Sequence, residues 1–308
     1  MSLRLGTRAS TLARTQSALV GAALERTLGV TVQLVDVQSE GDRSGAPLTE
    51  IGGQGVFVGA VREALVDGRV DLVVHSLKDL PTARDERVSL AAVPERGDPR
   101  DALVARDGLT LGELPRGSRI GTGSPRRTAQ LHALGMGLEI TPVRGNVDTR
   151  IRKVTEGELD GVVLARAGLA RIGREADITE SLDPIQMLPA PGQGALAVEV
   201  AVGATALADD IAGVLDHAVT RRAVTAERAL LRGLEAGCSS PIGALAEVAE
   251  GDLGPELWLR GVALAPDGSQ LIRLSASGDV DDPEGLGRKL ADDMLELGAA
   301  TLMQAHAS

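Results

Sequence analysis

Cysteine occurs once in 308 residues, at Cys238. No internal disulfide can form, and no cysteine cluster is available for zinc. Tyrosine is absent, and Phe57 and Trp258 are the only aromatic residues. The cores must therefore be built from Leu, Val, Ile and Ala. Lysine is nearly as scarce. Only Lys78, Lys153 and Lys289 interrupt arginine among the 32 basic residues. No uncharged apolar run is long enough to span a bilayer, and no secretory leader pattern follows Met1. A cytoplasmic chain with no membrane partner is expected. A net charge of −11 argues against non-specific nucleic-acid binding.

What is present is arginine in particular places. Residues 119–152 carry six arginines against only Glu139 and Asp148. A basic patch within an acidic chain suggests a small anionic ligand, because the guanidinium fork binds carboxylates in a bidentate way. The length predicts two or three domains. Leu3–Thr7 reads as a buried strand, and Ser10 as the cap of a helix over 11–28. Arg8 sits in the turn between them, where anions bind. Val70–Val74 reads as a core strand running into His75-Ser76-Leu77-Lys78-Asp79. Ligands sit beyond the carboxyl ends of such strands in open α/β sheets, which places Ser76, Lys78 and Asp79. His75 reads as a core or hydrogen-bonding histidine.

From Asp98 the pattern restarts, with strands over 101–105, 119–121, 138–142 and 161–165. Gly121-Thr122-Gly123-Ser124-Pro125-Arg126-Arg127 joins a strand to a helix, with Ser124 as N-cap and Pro125 at N1. Its backbone N–H groups, Thr122, Ser124 and the two arginines are expected to form an anion cradle. Asn146 is expected to cap a helix to Glu156, placing Arg144 and Arg150 near its start. Cations there oppose the helix dipole unless an anion lies between them. Arg171 follows the next strand. Leu188 to Gly194 reads as a hinge or crossover before a strand over 195–200, and helices over 205–215 and 217–235 follow. Three alternating strands and a closing amphipathic helix end the chain. The loop from Ser39 to Gly55, which includes Arg43, reads as a polar, glycine-rich lid or a connection.

Gly237-Cys238-Ser239-Ser240-Pro241 lies beyond the long helix. Gly237 suits the position after a helix C-cap, and Pro241 prevents the helix from resuming. A lone cysteine is often a small buried hydrophobe. It can also be a nucleophile that holds a group covalently. The residues of this stretch leave both readings open.

Seven motifs together resemble the porphobilinogen deaminase, or hydroxymethylbilane synthase, family over nearly the whole length. They are T-R-A-S-T-L-A from Thr7, V-H-S-L-K-D-L-P from Val74, D-P-R-D-A from Asp98 and G-T-G-S-P-R-R from Gly121. R-G-N-V-D-T-R from Arg144, P-A-P-G-Q-G-A from Pro189 and G-C-S-S-P-I-G from Gly237 complete the set. The resemblance implies an α/β fold of two periplasmic-binding-protein-like lobes plus a small α+β C-terminal domain. The implied domains are 1–96 with 192–215, then 97–191, then 216–308. It further implies a monomeric cytosolic transferase of tetrapyrrole biosynthesis. Four porphobilinogens are condensed head to tail on a dipyrromethane cofactor held by thioether to Cys238, releasing ammonia and hydroxymethylbilane. Hand-over of product to uroporphyrinogen III synthase is implied as well.

By family position, Asp79 is the catalytic carboxylate. Arg8, Ser10, Arg126, Arg127, Arg144, Arg150 and Arg171 hold the acetate and propionate groups that every ring carries. Ser76, Lys78, Thr122, Ser124 and Gln193 line the same cleft, and no metal is expected. Where the family carries lysines in the glycine-rich loop and the following helix, this chain has Gln54 and Gly59. Two other readings compete with this one. A two-lobed binding protein for a small dicarboxylate shares the fold, but the missing leader, Cys238 and Asp79 count against it. A thiol enzyme using Cys238 transiently would need a histidine base, and none lies close in sequence.

Overall fold

Strands covered by helices on both faces read as unbroken apolar runs, and two five-stranded sheets here are built largely from such runs. The computed structural model describes residues 2–37, 55–235, 240–251 and 254–304. The chain divides into two units, Met1–Gly97 with Ala195–Arg221, and Asp98–Gly194 with Arg222–Ser308.

The first unit opens with β1 (Ser2–Thr7), α1 (Thr11–Leu28), β2 (Thr31–Asp36), α2 (Gly55–Val66), β3 (Leu72–Ser76) and β4 (Val88–Ala92). The second unit begins with β5 (Asp101–Ala105), β6 (Arg119–Thr122), α3 (Pro125–Ala133), β7 (Glu139–Pro142) and α4 (Val147–Thr155). It continues with β8 (Gly161–Ala165), α5 (Arg166–Arg171) and the short β9 (Glu180–Ser181). The chain then returns to the first unit as β10 (Leu196–Ala201), α6 (Thr205–Leu215) and the start of α7 (Ala218–Gly233). The remainder of the second unit is β11 (Ile242–Gly251), β12 (Gly254–Leu264), β13 (Leu271–Asp279), α8 (Pro283–Glu296) and α9 (Ala299–Gln304).

The two large sheets repeat one plan. In the first, with order β2-β1-β3-β10-β4, β1 pairs in parallel with β2 and β3, whereas β10 runs antiparallel to β3 and β4. In the second, with order β7-β6-β8-β5-β9, β6 pairs in parallel with β7 and β8, and β5 runs antiparallel to β8. In each case the antiparallel strand is the first after the chain changes unit. Its first residues therefore arrive at the carboxyl ends of the parallel strands, where ligands bind in such sheets. The third sheet, β11-β12-β13, is antiparallel throughout. Leu257 and Leu259 of β12 pack with Leu230 of α7 and with Leu290 and Met294 of α8 in its core.

Several expected boundaries shift. β3 runs on to Ser76 because His75 and Ser76 pair with Ala197 and Leu196 of β10. β4, with Ser89 and Leu90 exposed, is an edge strand whose mixed pattern gave no sequence signal. Helix α7 stops at Gly233, short of the expected Glu235, which has a left-handed φ of 50°. Gly237, Cys238, Arg43 and Gln54 lie outside the described residues, as does the Ser39–Gly55 loop apart from Gly55, which opens α2.

Candidate active site

In the first unit, β1 and β3 lie side by side with Gly6 opposite Val73, so Arg8 and Ser76 emerge at the same sheet edge. Ser10 is the N-cap of α1 as expected, its hydroxyl accepting from Ala13 N at 3.3 Å. Ser76 exchanges hydrogen bonds with the buried Gln16 of α1, at 3.1 and 3.2 Å. Lys78 and Asp79, both half-buried, occupy a single 3₁₀ turn over Leu77–Asp79. That turn is anchored by the bond from Leu77 N to Ala195 O at 3.0 Å, just before β10 begins. Arg8, Ser10, Ser76, Lys78 and Asp79 are thus gathered at one edge of one sheet.

A buried ionic cluster lies beneath this edge. Arg62 of α2 donates to both carboxylate oxygens of Glu199, at 2.8 and 2.6 Å. His75 Nε2 lies 3.4 Å from the same carboxylate. Burial alone would raise the Glu199 pKa, but Arg62 and then His75 hold it at about 2. Of the two expectations for His75, the structure matches the core histidine: it is buried beside Glu199, and its Nε2 completes no hydrogen bond.

In the second unit, Thr122, Ser124, Arg126, Arg127, Arg150, Arg171 and Gln193 derive from the ends of β6 and β8 and the segments around them. Gly123 passes close to Val143 O, so a side chain there would bring Cβ within 2.7 Å of that oxygen. The strand-to-helix turn is correspondingly tight. Ser124 is the N-cap of α3 with Pro125 at N1, but its hydroxyl makes no capping bond. Instead, the Ser124 N–H donates to Thr122 Oγ1 at 3.2 Å. Asn146 caps α4 through Thr149 N at 2.9 Å. Arg144 precedes that cap and is exposed. Arg150 folds back so that its Nε donates to Gly145 O at 2.9 Å. Arg171 Nη2 donates to Gly194 O at 2.5 Å.

Arg126 and Arg127 are almost wholly buried, 3% and 5% exposed, and converge on Asp101, which is 0% exposed. Arg126 Nη2 lies 2.8 Å from Asp101 Oδ2. Arg127 donates to Asp101 Oδ1 from Nε at 3.0 Å and from Nη2 at 2.7 Å. Gln193 Nε2 donates to the same Oδ1 at 2.8 Å and to Pro99 O at 2.7 Å. Burial would raise the Asp101 carboxyl, but Arg126 and Arg127 hold it well below the usual carboxylate range. The Arg126 guanidinium is pushed down because its burial outweighs the pull of Asp101. Arg150 is pushed down by burial and then by the nearby charge of Arg127, and Arg171 by burial alone. One buried carboxylate thus faces two buried guanidiniums, with a third cation near enough to repel them.

The sequence gives Asp101 and Gln16 no role. Asp101 carries a signal nonetheless: it lies in the D-P-R-D-A motif and is an acid opening the otherwise apolar run Asp101-Ala102-Leu103-Val104-Ala105. Gln16 carried no signal, since a polar residue on a helix is ordinary.

Comparisons with known proteins add the following. Residues 3–209 match the family model described as porphobilinogen deaminase, dipyromethane cofactor binding domain. Residues 221–296 match porphobilinogen deaminase, C-terminal domain. Porphobilinogen deaminase of Mycobacterium tuberculosis (strain ATCC 25618 / H37Rv) is 58% identical over 306 residues, covering 98% of each chain. That of Mycobacterium ulcerans (strain Agy99) is 57% identical, covering 98% of this chain and 96% of the relative. Among solved structures, a Salmonella typhimurium periplasmic binding protein with high arginine specificity aligns at 17% identity and a TM-score of 0.42. The alignment covers 69% of this chain and 91% of that one.

Proposed function

From the premise that this chain belongs to the porphobilinogen deaminase family, we infer how its residues divide the family's work. The chain is a transferase of tetrapyrrole biosynthesis. It condenses four porphobilinogens head to tail, releasing ammonia and linear hydroxymethylbilane. When bound, the dipyrromethane cofactor supplies the primer on which those rings are joined. Cys238 holds it by thioether.

The observation that carries the assignment of the arginines is the surplus of buried positive charge in the second unit. Two guanidiniums share the single carboxylate of Asp101, and Arg126 Nε is buried without a hydrogen-bond partner. A buried unmatched cation is costly unless an anion completes the site. A ligand whose every ring carries an acetate and a propionate fits that need. Arg126, Arg127, Arg144, Arg150 and Arg171 hold such carboxylates, helped by the N–H groups that open α3 and α4. Thr122, Ser124 and Gln193 supply neutral contacts. Arg8, Ser10, Ser76 and Lys78 do the same work from the first sheet.

Asp79 is the acid–base and electrostatic residue. Loss of ammonia from porphobilinogen leaves a cationic methylene-pyrrole. A carboxylate beside the pyrrole N–H stabilises that cation and moves protons between steps. Asp79 is the only carboxylate among the first unit's assigned residues.

The division into domains 1–96 with 192–215, 97–191 and 216–308 belongs to the same reading. Three separate sheets and a distinct apolar core under β11–β13 support it. A monomer working in the cytoplasm and passing product to uroporphyrinogen III synthase is also part of it. No helix among the described residues is long and apolar enough to cross a membrane. The test is the intact mass of the denatured protein after expression in cells that make porphobilinogen. Two pyrrole units beyond the chain mass are expected, and a bare chain would overturn the covalent-cofactor reading.

A further inference from the structure

We propose that Asp101 is a positioning residue for ligand carboxylates, setting the direction of Arg126, Arg127 and Gln193 while leaving the arginine pair short of one negative charge. The proposal rests on the arginine roles assigned above.

Its basis is the placement of one strand. β5 runs antiparallel to β8, with Asp101 opposite Ala165, so its first residue reaches the carboxyl end of β8. The backbone there is fixed by Leu182 N donating to Asp101 O at 2.9 Å. The side chain is held through Oδ1, while Oδ2 has the ion-pair contact with Arg126 but no hydrogen bond. Oδ1 accepts from Arg127 Nε, Arg127 Nη2 and Gln193 Nε2, and Oδ2 meets Arg126 Nη2. Each guanidinium has a second anchor on backbone. Arg126 Nη1 donates to Leu188 O at 2.6 Å, and Arg127 Nη1 to Val163 O at 2.9 Å. Gln193 is held at two points as well.

A purely structural ion pair would neutralise its partner. This arrangement does not, because one carboxylate stands between two cations and Arg127 also repels Arg150. The three Asp101-facing N–H groups of Arg127 and Gln193 saturate Oδ1. Arg126, 3% exposed, keeps an unmet donor in its Nε, which has no hydrogen-bond partner, as Asp101 Oδ2 has none on its side. Asp101 therefore pre-orients the cradle and keeps it attractive to an anion. Preorganisation of this kind is what gives fixed charges their effect in a water-poor site.

Asp101→Asn is the direct test. The amide keeps the shape and can still accept at Oδ1, but its NH2 turns a donor toward Arg126. Asp101→Glu keeps the charge and displaces it by one methylene. Asp160→Asn is the control for lost stability alone. Asp160 is a carboxylate at the opposite end of β8 that accepts from Arg119 N and Arg106 Nε. Each protein is expressed in cells making porphobilinogen and its folded monodisperse fraction is isolated. Melting temperature and the dipyrrole-bearing fraction, by intact mass, are then measured. Asp101→Asn is expected to load at less than about a tenth of wild type, and Asp101→Glu to fold with loading several-fold down. Asp160→Asn is expected to melt lower yet load like wild type. If Asp101→Asn does not fold, Asp101→Glu decides by the same loading measurement. Wild-type loading in a folded Asp101 variant, or an equal loss in Asp160→Asn, overturns the proposal. A wild-type chain without the dipyrrole would instead overturn the reading on which the proposal rests.

Discussion

Asp79 and the buried arginines respond to substitution in opposite ways. Asp79 is half-buried in a solvent-edge turn, so Asp79→Asn should fold and retain the Cys238-linked dipyrrole supplied as a preformed tetrapyrrole. General acid–base assistance is worth about 10²–10⁴-fold, and turnover should fall by at least that range. Single-turnover release of ammonia is the measurement, and turnover within a few-fold of wild type would remove Asp79 from the mechanism. Arg127→Ala removes buried hydrogen bonds to Asp101 and Val163 O while Arg126 still neutralises Asp101, and should cost about 1–3 kcal/mol of stability. Arg150→Gln and Arg171→Gln should do the reverse. Both side chains lose solvation without any carboxylate ion pair among the described residues, and their bonds go to backbone oxygens. Neutralising either should leave the melting temperature unchanged or raised while weakening cofactor loading. A large stability loss in both would show that their charge is compensated in the empty protein.

At the scale of elements, the α2–β3–β10 contact depends on one charge. The Glu199 pKa falls from the ordinary 4.5 to about 2. At about 1.4 kcal/mol per pH unit this is worth about 3 kcal/mol. Because the folded value lies below the unfolded one, the contribution is complete above pH 4.5 and is lost as pH falls toward 2. Glu199→Gln should therefore be less stable near neutrality and show a flatter acid limb in urea titrations between those values. An unchanged acid limb would mean that the cluster does not couple these elements. A second dependence joins the third sheet to α3. Gly268, with φ of 72°, turns the β12–β13 connection, and a Cβ there would lie 2.4 Å from Ala129 O. Gly268→Ala combines that clash with an unfavourable left-handed conformation. It should lower stability and disturb loading through Arg126 and Arg127, which lie one turn earlier on the same helix. Loading per folded molecule checks this.

At the scale of the whole molecule, the proposed arginine roles predict that the cofactor is a stabilising counterion. Anything that binds only the folded state raises its stability, and on the proposed arginine roles bound carboxylates would also relieve the repulsion between Arg127 and Arg150. Cys238→Ser should fold but hold no stable adduct, because an alcohol is a poorer nucleophile than a thiolate. It should melt below the loaded wild type, and added inorganic phosphate should narrow the gap. Calorimetry with and without phosphate tests both points. A dipyrrole on Cys238→Ser that survives denaturation would move the attachment elsewhere.

Local rules, by themselves, determined much of this protein. Apolar runs marked β1, β5 and β8, Ser10 and Asn146 marked helix starts, and the motif set identified the family. Arginine clustering over 119–152 is the sequence feature that suggests an anionic ligand. These features are legible because caps, strand patterns and turn chemistry act between near neighbours in the chain. Only the tertiary structure decided which arginines are clamped and which remain to be neutralised. Asp101 and Arg126 are brought together by an antiparallel strand and the start of a helix, and Gln193 reaches them from 92 residues further along. Likewise, Glu199 gathers Arg62 across 137 residues, because β10 returns beside β3 only after the chain has built the second sheet. The charge balance of a buried cluster is set by such long-range pairings, and no local spacing encodes it.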